Sequence, residues 1–379
     1  MQIRFFSLLL LTALLGGCGS SFQDTPSGMS GGSLAWTAPD PALRAVELQA
    51  LLDEAMQTER IPGAIVGVWT PAGSWTSATG IADIPANRAA TLSDNSAWRS
   101  ITKSLTVTVV LQLADEGLVE LDAPLSRYLT GVTGGDQVTL RQLANMTSGV
   151  VNYSSDPDFQ AVFIQDIEQA FTLDELLGFV VDQPLNFVPG TAYEYSNSNT
   201  LLLQKVAETV TGRTLEQLYE ERILSRLPAG SAQYLLGTEF PSPHLNGYAY
   251  DDETDSFEEL VSNTTALAGA GAMVGTLEGL RDWGRLLVRG DLLSPALQAQ
   301  RFVGRPPTNG PLYDAYGLGM GEIGGWWGHT GTGLGYQACV FTEPNSLSSI
   351  VIFVNATNQD GDVPAKLARR IQAVLGWSR

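Results

Sequence analysis

The apolar positions of this chain fall into two kinds of run. From Ser100 to Glu116 they are nearly continuous and end at Gly117, which reads as a buried helix closed by a glycine. Ala64 to Thr70 and Ser74 to Gly80 are short apolar-rich strands around Pro71, Ala72 and Gly73, a hairpin. Tyr336 to Thr342 and Ser348 to Asn355 alternate around Pro344 and Asn345, a second hairpin. Asp40 before Pro41 reads as a helix cap and first helical residue, with the helix running to about Gln57. Thr139 with Gln142, Thr172 with Glu175 and Thr214 with Gln217 each form a capping box before an apolar run. A further helix follows Tyr195, Ser196 and Asn197, from about Thr200 to Thr211, so about 120 to 235 reads as mostly helical. Thr276 caps a helix to about Arg289, and a last amphipathic helix runs from about Pro364 to Leu375.

Strands thus lie toward both chain ends and helices in the middle. The expected class is α+β, an antiparallel sheet built from both ends and flanked by helices, with an inserted, mostly helical part. In residue terms, an α/β part covers about 39–119 and 265–379, and the helical part about 120–264. A cleft between such parts is a natural pocket.

The first 18 residues change the picture at one end. Arg4 precedes an apolar stretch from Phe5 to Leu15, 11 residues and too short to span a bilayer. Leu15, Gly16, Gly17 and Cys18 then resemble a bacterial lipobox, which implies a signal peptide, lipid on Cys18 and export to the cell envelope. Gly19 after it resembles lipoproteins sent, in a host that has an outer membrane, to its periplasmic side. Residues 19–38, rich in Ser and Gly, read as a flexible tether. They contain Gly28, Met29, Ser30, Gly31 and Gly32, a G-x-S-x-G without the strand and helix that motif requires, so Ser30 is set aside.

Charge removes one class of function. The net charge of −19 across 379 residues leaves no basic footprint for nucleic acid. Six acidic residues between Asp251 and Glu259 read as a solvated hairpin tip. With two histidines and no recognised ligand spacing, no metal is expected. Of the two cysteines, Cys18 is assigned to lipid, so no disulfide with Cys339 is expected.

Candidate chemistry begins where the long apolar helix begins. Ser100 and Lys103 form the only S-x-x-K, in a chain with three lysines. Three residues of helix rise about 4.5 Å and nearly complete a turn, so hydroxyl and amine share a face. An amine with its pKa lowered by burial can take the hydroxyl's proton. Tyr195 and Asn197 form the only Tyr-x-Asn, after the turn signal Pro189, Gly190 and Thr191. A phenol beside an ammonium can titrate low enough to shuttle protons, and an amide can donate to a substrate carbonyl and accept from its N–H. His329, Thr330 and Gly331, read as lying on a sheet edge, offer a cation-capable ring, a hydroxyl and a bare backbone. His244 lacks such a context and is read as structural.

The three motifs, in this order, resemble the serine β-lactamase-related family. That group holds class C β-lactamases, D-alanyl-D-alanine carboxypeptidases and family VIII-type esterases. The resemblance covers about 45–375 and extends to Thr139–Leu143, Thr147–Gly149, Ala270–Met273 and Tyr316–Gly319. It implies a β-lactamase/transpeptidase-like fold and a serine hydrolase that works through an acyl-enzyme without a cofactor. Ser100 would be the nucleophile, and Lys103 and Tyr195 the general base and acid. The N–H groups of Ser100 and Thr332 would form the oxyanion hole. Asn197 would orient the acyl side chain, and His329, Thr330 and Gly331 would line the leaving side. His329 stands where class C enzymes carry lysine, and is expected to bind a substrate carboxylate when protonated. Arg281 and Arg285 are candidates for that carboxylate by chain position alone. The first expectation is a penicillin-recognising D-alanyl-D-alanine carboxypeptidase-like enzyme acting on peptidoglycan peptides. The alternatives are an esterase or weak β-lactamase on the same scaffold, or a non-catalytic sensor lipoprotein.

Overall fold

A computed structural model describes residues 37–357 and 362–377. Ser30 and Cys18, with the expected signal peptide and most of the tether, lie outside the described residues.

Asp40 accepts a hydrogen bond from the Ala42 amide at 2.9 Å and starts a 3-10 turn that passes into α1 (Ala45–Thr58). Leu48, Leu52 and Ala55 form its buried stripe. Strands β1 (Gly63–Thr70) and β2 (Gly73–Asp83) make the first hairpin, and β3 (Arg88–Ala89) extends it. After the short β4 (Ser96–Ala97) comes α2 (Thr102–Asp115). The middle of the chain supplies α3 (Leu140–Ala144), α4 (Pro157–Gln165), α5 (Leu173–Gly178), α6 (Asn197–Thr211) and α7 (Leu215–Arg222). Next are β5 (Ala232–Tyr234), the acidic hairpin β6 (Tyr248–Asp251) and β7 (Ser256–Glu259), and β8 (Met273–Gly275). Helices α8 (Leu277–Arg289) and α9 (Pro295–Arg301) lead to β9 (Ala315–Tyr316), β10 (Gly321–Ile323), β11 (Trp326–Gly333), β12 (Tyr336–Thr342), β13 (Ser349–Val354) and β14 (Ala356–Thr357). The last helix is α10 (Val363–Val374).

The main sheet has the order β3-β2-β1-β13-β12-β11-β10-β9, and every pairing in it is antiparallel. Both chain ends therefore contribute, as the hairpin patterns imply, and β1 meets β13 in the middle with Ala64 opposite Val354. All eight residues of β1 are buried, because the sheet is covered on both faces. One core, with Leu48, Leu52, Ile352, Leu367 and Ile371, packs α1 and α10 on one face. The other packs α8, α2 and the helical middle on the opposite face.

All three capping boxes form, each with both reciprocal hydrogen bonds. The helices they start are short, five to eight residues, so 120 to 235 holds more loop than the pattern suggested. Helix α4, capped by Asp156, has no counterpart in the sequence reading. Helix α2 is buried almost all round, and its hydroxyls are satisfied within the interior. Ser104 bonds the Ile101 carbonyl of the preceding turn and Thr108 the Ser104 carbonyl, each at 2.6 Å, and Thr106 reaches the Gly269 carbonyl at 2.6 Å. Cys339 is a buried free thiol.

Candidate active site

Ser100 does not open α2 directly. It sits in a 3-10 turn, Arg99–Ile101, and the α-helix begins at Thr102. Lys103 is nonetheless one turn away, and its Nζ lies 2.8 Å from Ser100 Oγ. The amine also donates to the Ala270 carbonyl at 2.9 Å and lies 5.1 Å from the centre of the Tyr195 ring. A hydroxyl, a carbonyl and an aromatic face surround it, with no carboxylate among them. Complete burial therefore holds its pKa well below that of a free lysine. A buried, readily neutral amine beside a half-buried hydroxyl is the arrangement a general base requires.

Three connections fix this pair. Arg99 takes a left-handed backbone, φ 49°, which costs a non-glycine residue about 1–2 kcal/mol. Its guanidinium stacks 4.9 Å from the Tyr336 ring centre and donates to the Leu334 carbonyl at 3.0 Å, binding the turn to the β11–β12 connection. The Ala270 carbonyl ends a 3-10 turn, Ala268–Ala270, whose Gly269 is gripped at both ends. Its amide donates to Gln204 Oε1 at 2.9 Å and its carbonyl accepts from Thr106. Sequence reasoning reached Ala270 only as part of a family flank, because a backbone acceptor has no side-chain signal.

Tyr195 and Asn197 straddle the start of α6, with Asn197 its first residue. The Tyr195 hydroxyl is buried without a hydrogen-bond partner of normal geometry. Burial raises its pKa; nearby Ser100 opposes the rise and the Asp362 carboxylate adds to it. Tyr195 is thus a neutral phenol across the physiological range, which corrects the expectation that it titrates low. Lys103, buried and readily neutral, does not supply the fixed positive charge that expectation needed. The Asn197 amide donates to Ser154 Oγ at 2.9 Å, and its backbone N–H to Asn152 Oδ1 at 3.1 Å. These two partners lie over 40 residues away and were not anticipated.

Strand β11 is interior for its first half only. β10 pairs with Trp326, Trp327 and Gly328 and no further, so from His329 onward that edge is free of a strand partner. The nucleophile turn covers it. A Cβ built on Gly331 would lie 2.2 Å from the Trp98 carbonyl oxygen and 2.9 Å from the Ser100 amide nitrogen, so only glycine allows this approach. Thr332, next along, is exposed.

His329 is where structure and expectation part. Its side chain is fully buried, at 0% exposure, between Tyr313 and Tyr316. Nδ1 lies 2.5 Å from the Thr330 carbonyl, which can only accept, so Nδ1 carries the proton. Nε2, 3.1 Å from the Tyr316 hydroxyl, accepts. Burial pushes the imidazole pKa down to about 3. His329 is therefore a neutral wall behind the Tyr195 ring, 6.4 Å from it, and not a titrating cation that meets substrate. Arg281 and Arg285 are corrected likewise. Arg281 stacks on Trp69 and pairs with Asp282, and Arg285 bonds the Leu347 carbonyl and Ser349, on the α8 side of the sheet. His244, half-buried, packs against Phe240, with its pKa lowered first by burial.

Thr330, 3% exposed, lies 2.8 Å from the Tyr313 hydroxyl. A separate open depression at the far end of α2, lined by Asp115, Arg141 and Ser294, contains none of these residues.

Comparison with known proteins fits this geometry. The β-lactamase family profile matches residues 48–375. The chain belongs to the β-lactamase family of serine hydrolases. Within it, a D-aminopeptidase of Cereibacter sphaeroides is 27% identical over 339 residues, 87% of this chain and 63% of that protein. The chain thus spans under two thirds of the length of that relative. Esterase EstB of Burkholderia gladioli is 31% identical over 190 residues, 46% of this chain and 48% of the esterase. A solved D-stereospecific amidohydrolase from Streptomyces superposes with a TM-score of 0.76 at 28% identity, over 90% of this chain and all of that one. The fold is that of this family, α+β with the sheet drawn from both chain ends.

Proposed function

We propose that this β-lactamase-family protein is an acyl-enzyme hydrolase of small amides, peptides and esters, with Ser100 as nucleophile. One observation carries the reading: a buried Lys103 amine 2.8 Å from Ser100 Oγ, without a carboxylate to keep it charged. Neutral Lys103 takes the Ser100 proton as Oγ attacks the acyl carbon. Tyr195, a neutral phenol against both groups, passes a proton to the departing amine or alkoxide. Water then repeats the sequence in reverse and frees the acid. The Ser100 and Thr332 amides receive the developing oxyanion, because Gly331 brings the strand against the turn. Asn197, its Nδ2 anchored on Ser154, presents its carbonyl oxygen to the acyl side chain.

The substrate class moves away from the first expectation. A D-alanyl-D-alanine carboxypeptidase must hold a terminal carboxylate. His329 is neutral and enclosed, and Arg281 and Arg285 lie elsewhere. Amide, ester or aminopeptide hydrolysis, the activities named in the relatives, needs no such cation. The exported, lipid-tethered location is proposed on Leu15 to Cys18 alone.

The test is a side-by-side assay of D-amino acid amides, short acyl esters, a D-alanyl-D-alanine peptide and a chromogenic cephalosporin, with intact-mass analysis of the protein. One acyl adduct on the peptide holding Ser100, lost in Ser100→Ala, is expected, with turnover of amides or esters above that of the two carboxylate-bearing substrates. An adduct that persists in Ser100→Ala refutes the assignment. An adduct that forms and never turns over identifies a sensor instead.

A further inference from the structure

Beyond Gly328 one edge of β11 has no strand partner, and at Thr330 that edge is closed from inside the molecule. The Thr330 amide donates to the Tyr313 hydroxyl at 2.8 Å. The Thr330 carbonyl accepts from His329 Nδ1 at 2.5 Å. Thr330 Oγ1 lies 2.8 Å from the same Tyr313 hydroxyl, which already accepts from the amide and so has its own proton to give. Every polar group of Thr330 is therefore engaged by a side chain of the protein.

The fold builds this closure. Tyr313 stands just before β9, where the Asp314 amide donates to the Glu322 carbonyl at 2.8 Å and Tyr316 pairs with Gly321 of β10. Its ring crosses Gly321 to reach β11: a Cβ there would lie 2.5 Å from the ring, so only glycine lets it pass. If the β10–β11 register continued, Gly319 would stand opposite Thr330. The Gly319 amide bonds the Ala144 carbonyl instead, and the Tyr313 hydroxyl takes the place of the missing strand. The ring is buried against Tyr316 and Phe341.

Main-chain groups along a strand face alternate edges, so Thr332 turns its own toward the same side as Thr330. Thr332 is exposed, and Gly331 between them lies against Ser100. An extended peptide on this edge would seek a partner at every second residue, about 6.6–6.8 Å apart, first at Thr332 and then at Thr330. The first position is open and the second is taken. A longer leaving group gains no pairing there, while its own amides give up water as they meet the Tyr313 ring.

We propose that Tyr313 sets the length of the leaving group. With β11 sealed at Thr330, the protein acts on simple amides, short esters and single-residue leaving groups, and discriminates against a peptide chain that continues on that side. The proposal rests on the acyl-enzyme reading above and on Thr330 lining the leaving side.

The test joins one acyl group, whichever is turned over fastest as its simple amide, to ammonia, glycine amide or triglycine amide, so that no leaving group carries a carboxylate. For the wild type, kcat/KM is expected to fall at least about tenfold from the glycine amide to the triglycine amide. In Tyr313→Ala, which removes ring and hydroxyl, the ratio of triglycine amide to simple amide should rise about tenfold. Tyr313→Phe, which only frees the Thr330 amide, should move that ratio the same way by less. Wild-type kcat/KM that holds or rises with length overturns the proposal. So does an equal loss on all three substrates in the variants, which would leave Tyr313 a packing residue. If Tyr313→Ala does not fold, Tyr313→Phe and the wild-type series decide. Intact-mass detection of the Ser100 adduct with the simple amide or its ester separates the two readings. An adduct without length selectivity removes this proposal alone, and no adduct with any substrate removes both.

Discussion

If His329 is a neutral wall, acid should weaken the fold in a way that substrate recognition does not report. The perturbation is His329→Gln, which keeps a polar side chain and removes the titration. In the native protein the imidazole pKa is pushed down to about 3, against about 6.5 when the chain is unfolded. Between those values the unfolded chain binds the proton and the native one does not, so stability falls as pH falls. The native advantage is complete above pH 6.5 and is lost progressively toward pH 3. From pH 7 to pH 5 this one group should cost about 2 kcal/mol, since each pH unit below the unfolded pKa contributes about 1.4 kcal/mol.

Urea unfolding at pH 7 and pH 5 measures this. Carboxylates contribute to both proteins alike, so the wild type should lose about 2 kcal/mol more than His329→Gln over that interval. The ratio of kcat/KM for anionic and neutral substrates should have no step near pH 6.5 in the wild type. A step there, or an NMR titration of His329 near pH 6.5, would refute the reasoning. The ring would then have to leave Tyr313 and Tyr316 and reach solvent or substrate. Equal acid sensitivity of the two proteins would refute it as well.

Four further outcomes follow from the same geometry. The pH profile of kcat/KM should rise through one ionisation well below that of free lysine and stay level above it, because neutral Lys103 is the active form; Lys103→Arg should abolish it, and a midpoint near 10 would contradict the burial argument. Tyr195→Phe should lower kcat by about 10²–10⁴ with little change in KM, measured under conditions where acyl transfer limits the rate; a drop below about tenfold would reduce Tyr195 to packing. Gly331→Ala should cost about 1–3 kcal/mol of stability and most of the activity, because the new methyl would overlap the Trp98 carbonyl, and near-wild-type thermal unfolding would refute the contact. Ser154→Ala should raise KM more than it lowers kcat, by about tenfold or less, since it frees Asn197 without touching Ser100; an effect on kcat alone would argue that Asn197 acts at the transition state.

What the sequence revealed and what it hid divide along chain distance. Ser100 and Lys103 meet because three residues of helix bring them together, and the capping boxes form because each closes within four residues. These are local rules, legible in any window that contains them. The protonation state of His329 is not of that kind. It depends on Tyr313 and Tyr316, 16 and 13 residues earlier and across two strands, and on whether any water reaches the ring. A histidine beside a glycine in an alternating strand looks the same whether it faces solvent or the interior. The low pKa of Lys103 is likewise set from far away, by burial among segments that include the Ala270 turn, 167 residues on.

The free edge of β11 is the feature on which these distant effects converge, and it has a traceable cause. Gly324 and Gly325, both in left-handed backbone, turn β10 into β11 with Ile323 opposite Trp326 and Gly321 opposite Gly328. Pairing can continue past Gly328 only if the chain before Gly321 stays extended. It does not. Gly319 is left-handed, φ 70°, packs against Val107 of α2 and donates to the Ala144 carbonyl at 2.9 Å, which draws the chain off the sheet toward the helices. An open strand edge is a standing invitation to another strand. Here the turn Arg99–Ile101 occupies it, held there by Gly331 on one side and by Arg99 over Tyr336 on the other. The same departure of β10 that exposes the edge therefore makes room for Ser100 beside it. A residue at Gly319 unable to adopt left-handed backbone would prolong β10, close the edge and displace the nucleophile without altering any member of the Ser100, Lys103 and Tyr195 group.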